Sequence, residues 1–525
     1  MGSAMILDCT LRDGGYCNQW TFGEENISKI IVELLHADVD VIECGFLTER
    51  TKHIPDISKF NSMEELKEFI PRDKQGKIFV AMANFGEFDL KGMPTYDGRT
   101  LDGIRLAFHK KDLDKALQEA KIVQEKGYKL FLQAMVSLNY TDEEFINLLK
   151  EANKLEPYAF YIVDSFGAMR RKDLIRLFYL VEHNLKSGIK IGFHGHNNLQ
   201  LAYSNAQSLL EIPTSRDLLI DSSIYGMGRG AGNLNTELLI SYLNNHRGTK
   251  YFLPPILSVI DEILVDFHER HPWGFTLAYY ISAIHNAHPN YASYLDDKKT
   301  LTVEMMNEIF GHMEPARKSK YDADYIELIY SEYMERGSVY EAHLDELKKA
   351  LNGKTVLLIG PGKSTIEAKK QIQDFGQRED SSIISVNFNY NDAMVDYIFC
   401  SNMRRFRKLN SKDLKKCIVT SNIKAEGVYL QVKYRDLMNN FKMVKDNAGL
   451  MAMKLLASMG VKQIELAGFD GYSHDMLENY ADEKMSIYMK NQVMDEINEG
   501  MKKAIEQYRK DVDIEFISGG GRFGK

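Results

Sequence analysis

The chain has 525 residues, too many for one hydrophobic core, so two or three domains are expected, and two if one is a barrel of about 250 residues. Its 44% hydrophobic and 27% charged residues are ordinary for a globular protein, and a net charge of −8 without any basic run argues against nucleic acid or an anionic membrane as partner. No segment approaches the roughly 18 uncharged apolar residues of a membrane span, no secretory leader pattern is visible, and the five cysteines lack CxxC spacing, so a reducing, cytoplasmic location is expected, without disulfides or structural zinc.

From the N-terminus, short β-branched or apolar runs at residues 5–10, 39–46, 78–83, 104–108, 130–136, 160–164, 191–196 and 218–223 alternate with amphipathic helical patterns at 25–35, 113–126, 142–154 and 199–210. That alternation suits a (β/α)8 barrel over residues 5–250, although a doubly wound open sheet would alternate in the same way. Between 246 and 351 the strand signal disappears. Segments 255–269, 277–287, 303–309, 323–336 and 341–351 read as helices, and without a glycine- or proline-rich linker residues 251–351 are expected as a helical extension packed on the barrel. Over 352–525 alternation resumes, with strand-like runs at 355–359, 383–388, 396–400, 417–420, 463–467 and 514–517 and helical patterns at 449–459 and 484–508, which predicts a Rossmann-like α/β domain.

In a barrel the chemistry sits where the strands end. The first strand delivers Arg12 and Asp13, the second carries Glu43, the sixth ends in Asp164-Ser165, the seventh carries His194 and His196, and the last runs into Gly226-Met-Gly-Arg-Gly-Ala-Gly-Asn233. His194 and His196 are two apart, so on a strand both face the same way; with Asp13 they form a two-histidine, one-carboxylate set that suits Mn, Mg, Co or Fe(II). A His-x-His that only lines a polar barrel mouth is the alternative. Arg12 beside that carboxylate places a fixed positive charge where an enolate oxygen would develop, Glu43 can pair with it, and Ser165 can hydrogen-bond a substrate carboxylate. The glycine run permits positive φ and close backbone approach. It is a poor dinucleotide signal, because it follows the last strand and lacks an acidic ribose partner.

Taken together, Leu11-Arg-Asp-Gly14, Glu43, His194-x-His196 and the Gly226–Asn233 loop resemble the DRE-TIM metallolyases, the HMG-CoA lyase-like family, over residues 5–240. The loop is nearer to the 4-hydroxy-2-oxovalerate aldolase branch than to the lyase branch, whose loop cysteine is absent here. The resemblance implies a barrel in which Asp13, His194 and His196 hold a divalent metal with Asn233 close by. It further implies that Arg12 stabilises an enolate, that Glu43 holds Arg12, and that Ser165 binds the substrate carboxylate. Mn2+ or Mg2+ is the expected ion, with Co2+ or Fe2+ as alternatives. One departure stands out: the aldolases carry a histidine base three residues after the metal aspartate, and this chain has Tyr16 there. A phenol near pKa 10 serves as base only if the metal or Arg12 lowers it; His271, His285 and His288 are the other candidates.

In the C-terminal part, Gly360, Gly362, Lys363 and Ser364 follow a strand and form a candidate phosphate cradle, although the segment matches neither a Walker A loop nor GxGxxG. Asn387, Asn389, Asn402, Asn422 and Asp470 stand at strand ends, where they suit either a sugar or nucleotide or a helix cap. The segments Leu358-Ile-Gly-Pro-Gly362, Asn447-Ala-Gly449 and Leu466-Ala-Gly-Phe-Asp470 resemble hydroxymethylpterin diphosphokinase-like and sialyltransferase-like domains. That implies a nucleotide or nucleotide-sugar partner and a bifunctional role in surface-glycan precursor synthesis. The function expected overall is that of a metal-dependent carbon–carbon lyase, an aldolase joining or releasing a 2-oxo acid and an aldehyde through a pyruvate-like enolate, in a homo-oligomer. A Claisen-type acyl-CoA condensing enzyme and a non-catalytic metal-binding barrel supporting a nucleotide-binding domain are the alternatives.

Overall fold

The computed structural model describes residues 2–336, 343–391, 393–487, 489 and 491–523. The expected helix at 341–351 is found over Leu344–Leu351, its first two positions lying outside the described residues. Residues 488 and 490 of the expected helix at 484–508 also lie outside them, and the regular helix is Asn491–Tyr508.

Eight of the nine strands of the first sheet make its barrel: β1 (Ala4–Asp8), β2 (Val41–Leu47), β3 (Ile78–Asn84), β4 (Gly103–Phe108), β5 (Lys129–Ala134), β6 (Ala159–Asp164), β7 (Lys190–Gly195) and β8 (Leu218–Ser222), while the two-residue strand Lys59–Phe60 lies beside β2. Each is parallel to its neighbour in sequence. β1 pairs with both β8 and β2, placing Leu7 opposite Val41, so the sheet closes into a barrel and the open-sheet alternative is excluded. The strands are short apolar runs buried on both faces, as a sheet between a filled interior and a ring of helices requires. Leu7, Val41, Val80, Phe131, Tyr161 and Leu219 fill the interior. Gly192 on β7 is dictated by that packing, since a Cβ there would lie 2.4 Å from the Tyr161 ring. Outside, the helix Glu24–His36 buries Ile27, Ile30, Ile31 and Leu34 at helical spacing, and Asp142–Leu155 opens on a Thr141–Glu144 capping box.

The helical stretch expected as one extension over 251–351 is divided. Compact packing assigns residues 1–293 and 314–321 to the barrel unit, and 294–313 and 322–525 to a second unit. The helix Ala323–Glu335 turns Tyr325, Ile326, Tyr330 and Met334 inward. The Tyr330 hydroxyl donates to Asp446 at 2.6 Å, so the partner of this helix is the C-terminal domain.

That second unit is built on a seven-stranded parallel sheet. Its strands are β9 (Thr355–Ile359), β10 (Ser381–Val386), β11 (Tyr397–Cys400), β12 (Cys417–Thr420), β13 (Leu430–Val432), β14 (Gln463–Ala467) and β15 (Asp513–Phe516), in the order β13-β12-β11-β10-β9-β14-β15. The order reverses between β9 and β14, the switch point of a doubly wound, Rossmann-like sheet. Six of the strands are legible in the sequence; β13 has three residues, too few for a period to show.

Candidate active site

The C-terminal ends of the barrel strands converge on a cavity of about 330 Å³ lined by Arg12, Asp13, Tyr16, Ser165, His194 and His196 among others. β1 hands over to a single wide helical turn, Thr10–Gly14, pinned where it begins. Asp8 accepts the Thr10 N–H at 2.9 Å and the Thr236 hydroxyl at 2.6 Å, and Cys9 O accepts the Asp13 N–H at 2.8 Å. This turn carries Arg12 and Asp13 inward.

Asp13, His194 and His196 each offer a ligand atom, and these atoms lie within 4.8 Å of one another. His194 donates from Nδ1 to Asp221 Oδ2 at 2.9 Å, which fixes its tautomer and leaves Nε2 as a lone-pair donor. His196 Nδ1 and Asn233 Oδ1 are buried without a hydrogen-bond partner. Asn233 Nδ2 donates to Asp13 Oδ2 at 2.8 Å, which puts Asn233 beside that carboxylate. Burial, opposed by Asp13 and reinforced by Arg229, pushes the His196 imidazole down to about 3, so it is neutral and able to ligate at neutral pH. Burial alone would raise the Asp13 carboxyl, but Arg12, with His196, His194 and Arg229, holds it well below the usual carboxylate range.

Behind these groups runs a buried chain of alternating charge. Arg12 bonds Asp13, and its Nε donates to Glu43 Oε2 at 2.9 Å. Arg105 Nη1 donates to the same oxygen at 2.7 Å, Arg105 Nη2 bonds Asp221, and Asp221 holds His194. Three carboxylates face two guanidiniums in this chain, leaving one net negative charge beside the two imidazoles. Such a set fits a divalent cation: oxygen and nitrogen donors, one orphaned ring nitrogen, and an excess negative charge to offset.

Arg12 Nη2 is buried without a partner and belongs to a residue on the cavity wall. Ser165 Oγ accepts the Val136 N–H at 2.9 Å, which leaves its hydroxyl proton to donate. Val136 reaches that position at φ 53, a left-handed conformation costly for a β-branched residue. The glycine loop behaves as its sequence suggests: Gly226, Gly230 and Gly232 have φ of 63, 70 and 85, and a Cβ on Gly228 would lie 2.3 Å from Asn233 Nδ2.

The proton-transfer candidates sort differently from the sequence expectation. Tyr16 is on the cavity wall with 39% of its surface exposed, and the partial desolvation of its hydroxyl, outweighing Arg229, leaves its phenol raised rather than lowered, the opposite of what a base needs. His288 is also on the wall. Its Nδ1 accepts the Asn290 N–H at 3.2 Å, which puts the ring proton on Nε2 and makes it a donor. His271 and His285 end the helices Val265–Arg270 and Leu277–Ile284 and are not among the lining residues.

Three functional groups escaped the sequence. Arg105 and Asp221 are fully buried charges in strands otherwise apolar, and a lone Arg in Gly-Ile-Arg-Leu-Ala-Phe is the signal that could have marked the first. Arg229 was visible only as one member of the glycine loop.

In the second unit, β9 is followed by Gly360-Pro-Gly362 and the short turn Lys363–Thr365, as expected, but the charge is of the wrong sign for a phosphate cradle. Asp470 accepts both the backbone N–H (2.8 Å) and the hydroxyl of Ser364, and Lys363 pairs with Glu478 at 2.8 Å. The glycines serve close packing, because a Cβ on Gly360 or Gly362 would meet Gly468 O at 2.6 or 2.4 Å. Asn402 caps the helix Met403–Phe406, and Asn422 donates to Ser401 O, so these strand-end residues are taken up structurally.

Comparison with known proteins points to the barrel. The profile of the family described as HMGL-like matches residues 104–261. A 4-hydroxy-2-oxovalerate aldolase of Geobacillus stearothermophilus is 31% identical over 249 residues, 46% of this chain and 69% of the relative. An oxaloacetate decarboxylase of Mycobacterium tuberculosis is 26% identical over 244 residues, again 46% and 69%. Among solved structures, the N-terminal domain of a candidate aldolase from Bacteroides vulgatus is 29% identical with a TM-score of 0.48, covering 57% of this chain and 98% of its own.

Proposed function

This chain belongs to the HMGL-like family, and from that premise we propose that its barrel is a divalent-metal-dependent aldolase, a carbon–carbon lyase that makes or cleaves a 4-hydroxy-2-oxo acid. The observation that carries the reading is the convergence of Asp13, His194 and His196 with Arg12, whose free Nη2 belongs to a residue of the same cavity wall. A divalent cation held by Asp13, His194 and His196 would polarise the 2-oxo oxygen as a Lewis acid.

The remaining chemistry belongs to the chain itself. The Ser165 hydroxyl donates a hydrogen bond to the carboxylate of the 2-oxo acid and orients it. Arg12, held by Glu43, donates from Nη2 to the 2-oxo oxygen as negative charge gathers there, with no reorganisation at the moment of reaction. Condensation passes a methyl proton of the 2-oxo acid to water in the cavity and forms the bond between the resulting enolate carbon and the aldehyde carbon. The aldehyde oxygen takes a proton from Tyr16, whose raised pKa keeps it a donor at neutral pH, and Tyr16 recovers a proton from solvent.

Pyruvate in D2O tests this reading without any knowledge of the aldehyde. With Mn(II), the methyl protons should exchange, followed by NMR, and the exchange should disappear with EDTA and in Arg12→Ala. Absence of exchange with every divalent metal tried would defeat the proposal.

A further inference from the structure

The cavity carries more positive charge than the reaction above needs. Arg229 projects from the glycine loop with its guanidinium carbon 5.1 Å from the centre of the Tyr16 ring. Its Nη2 donates to Ser165 O at 3.1 Å, Nε is buried without a partner, and no carboxylate pairs with it among the described residues. Lys111 and Lys320 line the same cavity and likewise lack an ion pair among the described residues. Arg50, by contrast, is neutralised by Glu87 at 3.0 Å. Of the acidic groups on the wall, Asp13 is committed to Arg12 and Glu87 to Arg50, which leaves Asp112 against three cations. All three act on one side chain: burial holds His109 below its ordinary value, Asp112 opposes, and Lys111, Lys320 and Arg229 reinforce.

A guanidinium with an unsatisfied buried N–H is costly unless something accepts from it. Water at the cavity mouth can do so. An anionic oxygen does so better, and the fork of Arg suits a carboxylate or phosphate. Arg12 and Ser165 serve the 2-oxo acid head, so the anion that Arg229 meets is a second one. We infer that this aldolase acts on a dianionic substrate, a 4-hydroxy-2-oxo acid whose aldehyde portion bears its own carboxylate or phosphate, and that Arg229 is the residue that selects it, with Lys111 and Lys320 at the cavity wall.

The inference deepens the aldolase reading and rests on it for the identity of the head group, but its test does not require turnover. The metal-loaded full chain is titrated calorimetrically with 2-oxobutanoate and with 2-oxoglutarate, which share the head and differ in a distal carboxylate. A third titration uses 2-oxobutanoate with saturating inorganic phosphate as a free anion. Wild type should bind 2-oxoglutarate tenfold or more tightly than 2-oxobutanoate. Arg229→Ala should bring the two affinities within threefold, and Arg229→Lys should restore part of the difference. Preference for 2-oxoglutarate indicates a carboxylate tail; equal binding of the two oxo acids with a phosphate-dependent gain that Arg229→Ala abolishes indicates a phosphorylated one. Equal binding with no phosphate effect, or a preference that survives in Arg229→Ala, overturns the inference. Pyruvate exchange, measured separately, reports on the aldolase reading alone.

Discussion

Asp221 never touches substrate in this arrangement, yet its replacement by asparagine should weaken metal binding by 10- to 100-fold. The carboxylate accepts from His194 Nδ1 at 2.9 Å in a buried setting, the side chains being 6% and 1% exposed. Asparagine keeps the shape and can still accept that proton, but as a neutral group. Replacing a charge-assisted bond of about 1.5–3 kcal/mol by a neutral one of about 0.5–1.5 costs roughly 1–2 kcal/mol in ligand basicity and orientation. The amide also removes the excess negative charge of the Asp13–Arg12–Glu43–Arg105–Asp221 chain, which lowers the attraction for a dication further. Together these reach the 10- to 100-fold range seen when outer partners of ligating histidines are changed. Titration of the metal-free full chain with Mn(II), following the free ion by EPR, reads the constant directly, with the thermal midpoint showing that the fold is kept. A folded Asp221→Asn protein binding Mn(II) within twofold of wild type would refute the role given to this contact.

Asp13→Asn and His196→Ala should each abolish Mn(II) binding in the same titration while circular dichroism stays native, whereas Arg12→Ala should keep the metal and lose turnover. Gly228→Ala forces a Cβ to within 2.3 Å of Asn233 Nδ2 and 3.0 Å of Asp13 Oδ2 and should weaken Mn(II) binding at least tenfold. Asp164 supplies a pH dependence: burial, opposed by the N–H groups of Ala168 and Met169, raises its carboxyl to about 7. An acid raised on folding binds its proton more tightly in the native state, so stability is full below the unfolded value of about 4 and falls as pH rises towards 7, by at most about 4 kcal/mol. Asp164→Asn should flatten the decline of the thermal midpoint between pH 5 and 8, and an unchanged slope would show that another group causes it.

The parts of the site legible in the sequence are those whose spacing repeats the geometry. His194 and His196 sit two apart on β7 and so share the inward face, and Arg12-Asp13 leaves β1 where the mouth must be. The eight strands show as near-continuous apolar runs because both faces are buried. Arg105 and Asp221 stayed hidden, since a single charge in a strand says nothing of the partner two or four strands away that makes its burial tolerable. The partner of an amphipathic helix is equally silent: nothing in residues 323–335 tells which core receives Tyr330. At Gly360–Ser364 the turn was readable, but the sign of its charge depends on Asp470, more than a hundred residues on, and that reversed the meaning of the loop.

The glycine loop holds Arg229 in an unusual way. Its backbone is tied down on both sides, by Asn197 N–H to Gly232 O at 2.8 Å, Ala231 N–H to Asn198 Oδ1 at 2.7 Å and Asn233 N–H to Gly226 O at 3.0 Å, while the neighbours of Arg229 are glycines. The one charged side chain in the loop is thus mounted on a tied-down bracket that also positions Asn233 next to Asp13. Position 229 sets the shape and charge offered to the substrate's tail, and through the Ser165 carbonyl and the Tyr16 ring it also touches the reaction centre. Retargeting such a barrel through this single codon therefore changes the charge felt by Asp13 and His196 along with the charge offered to the tail.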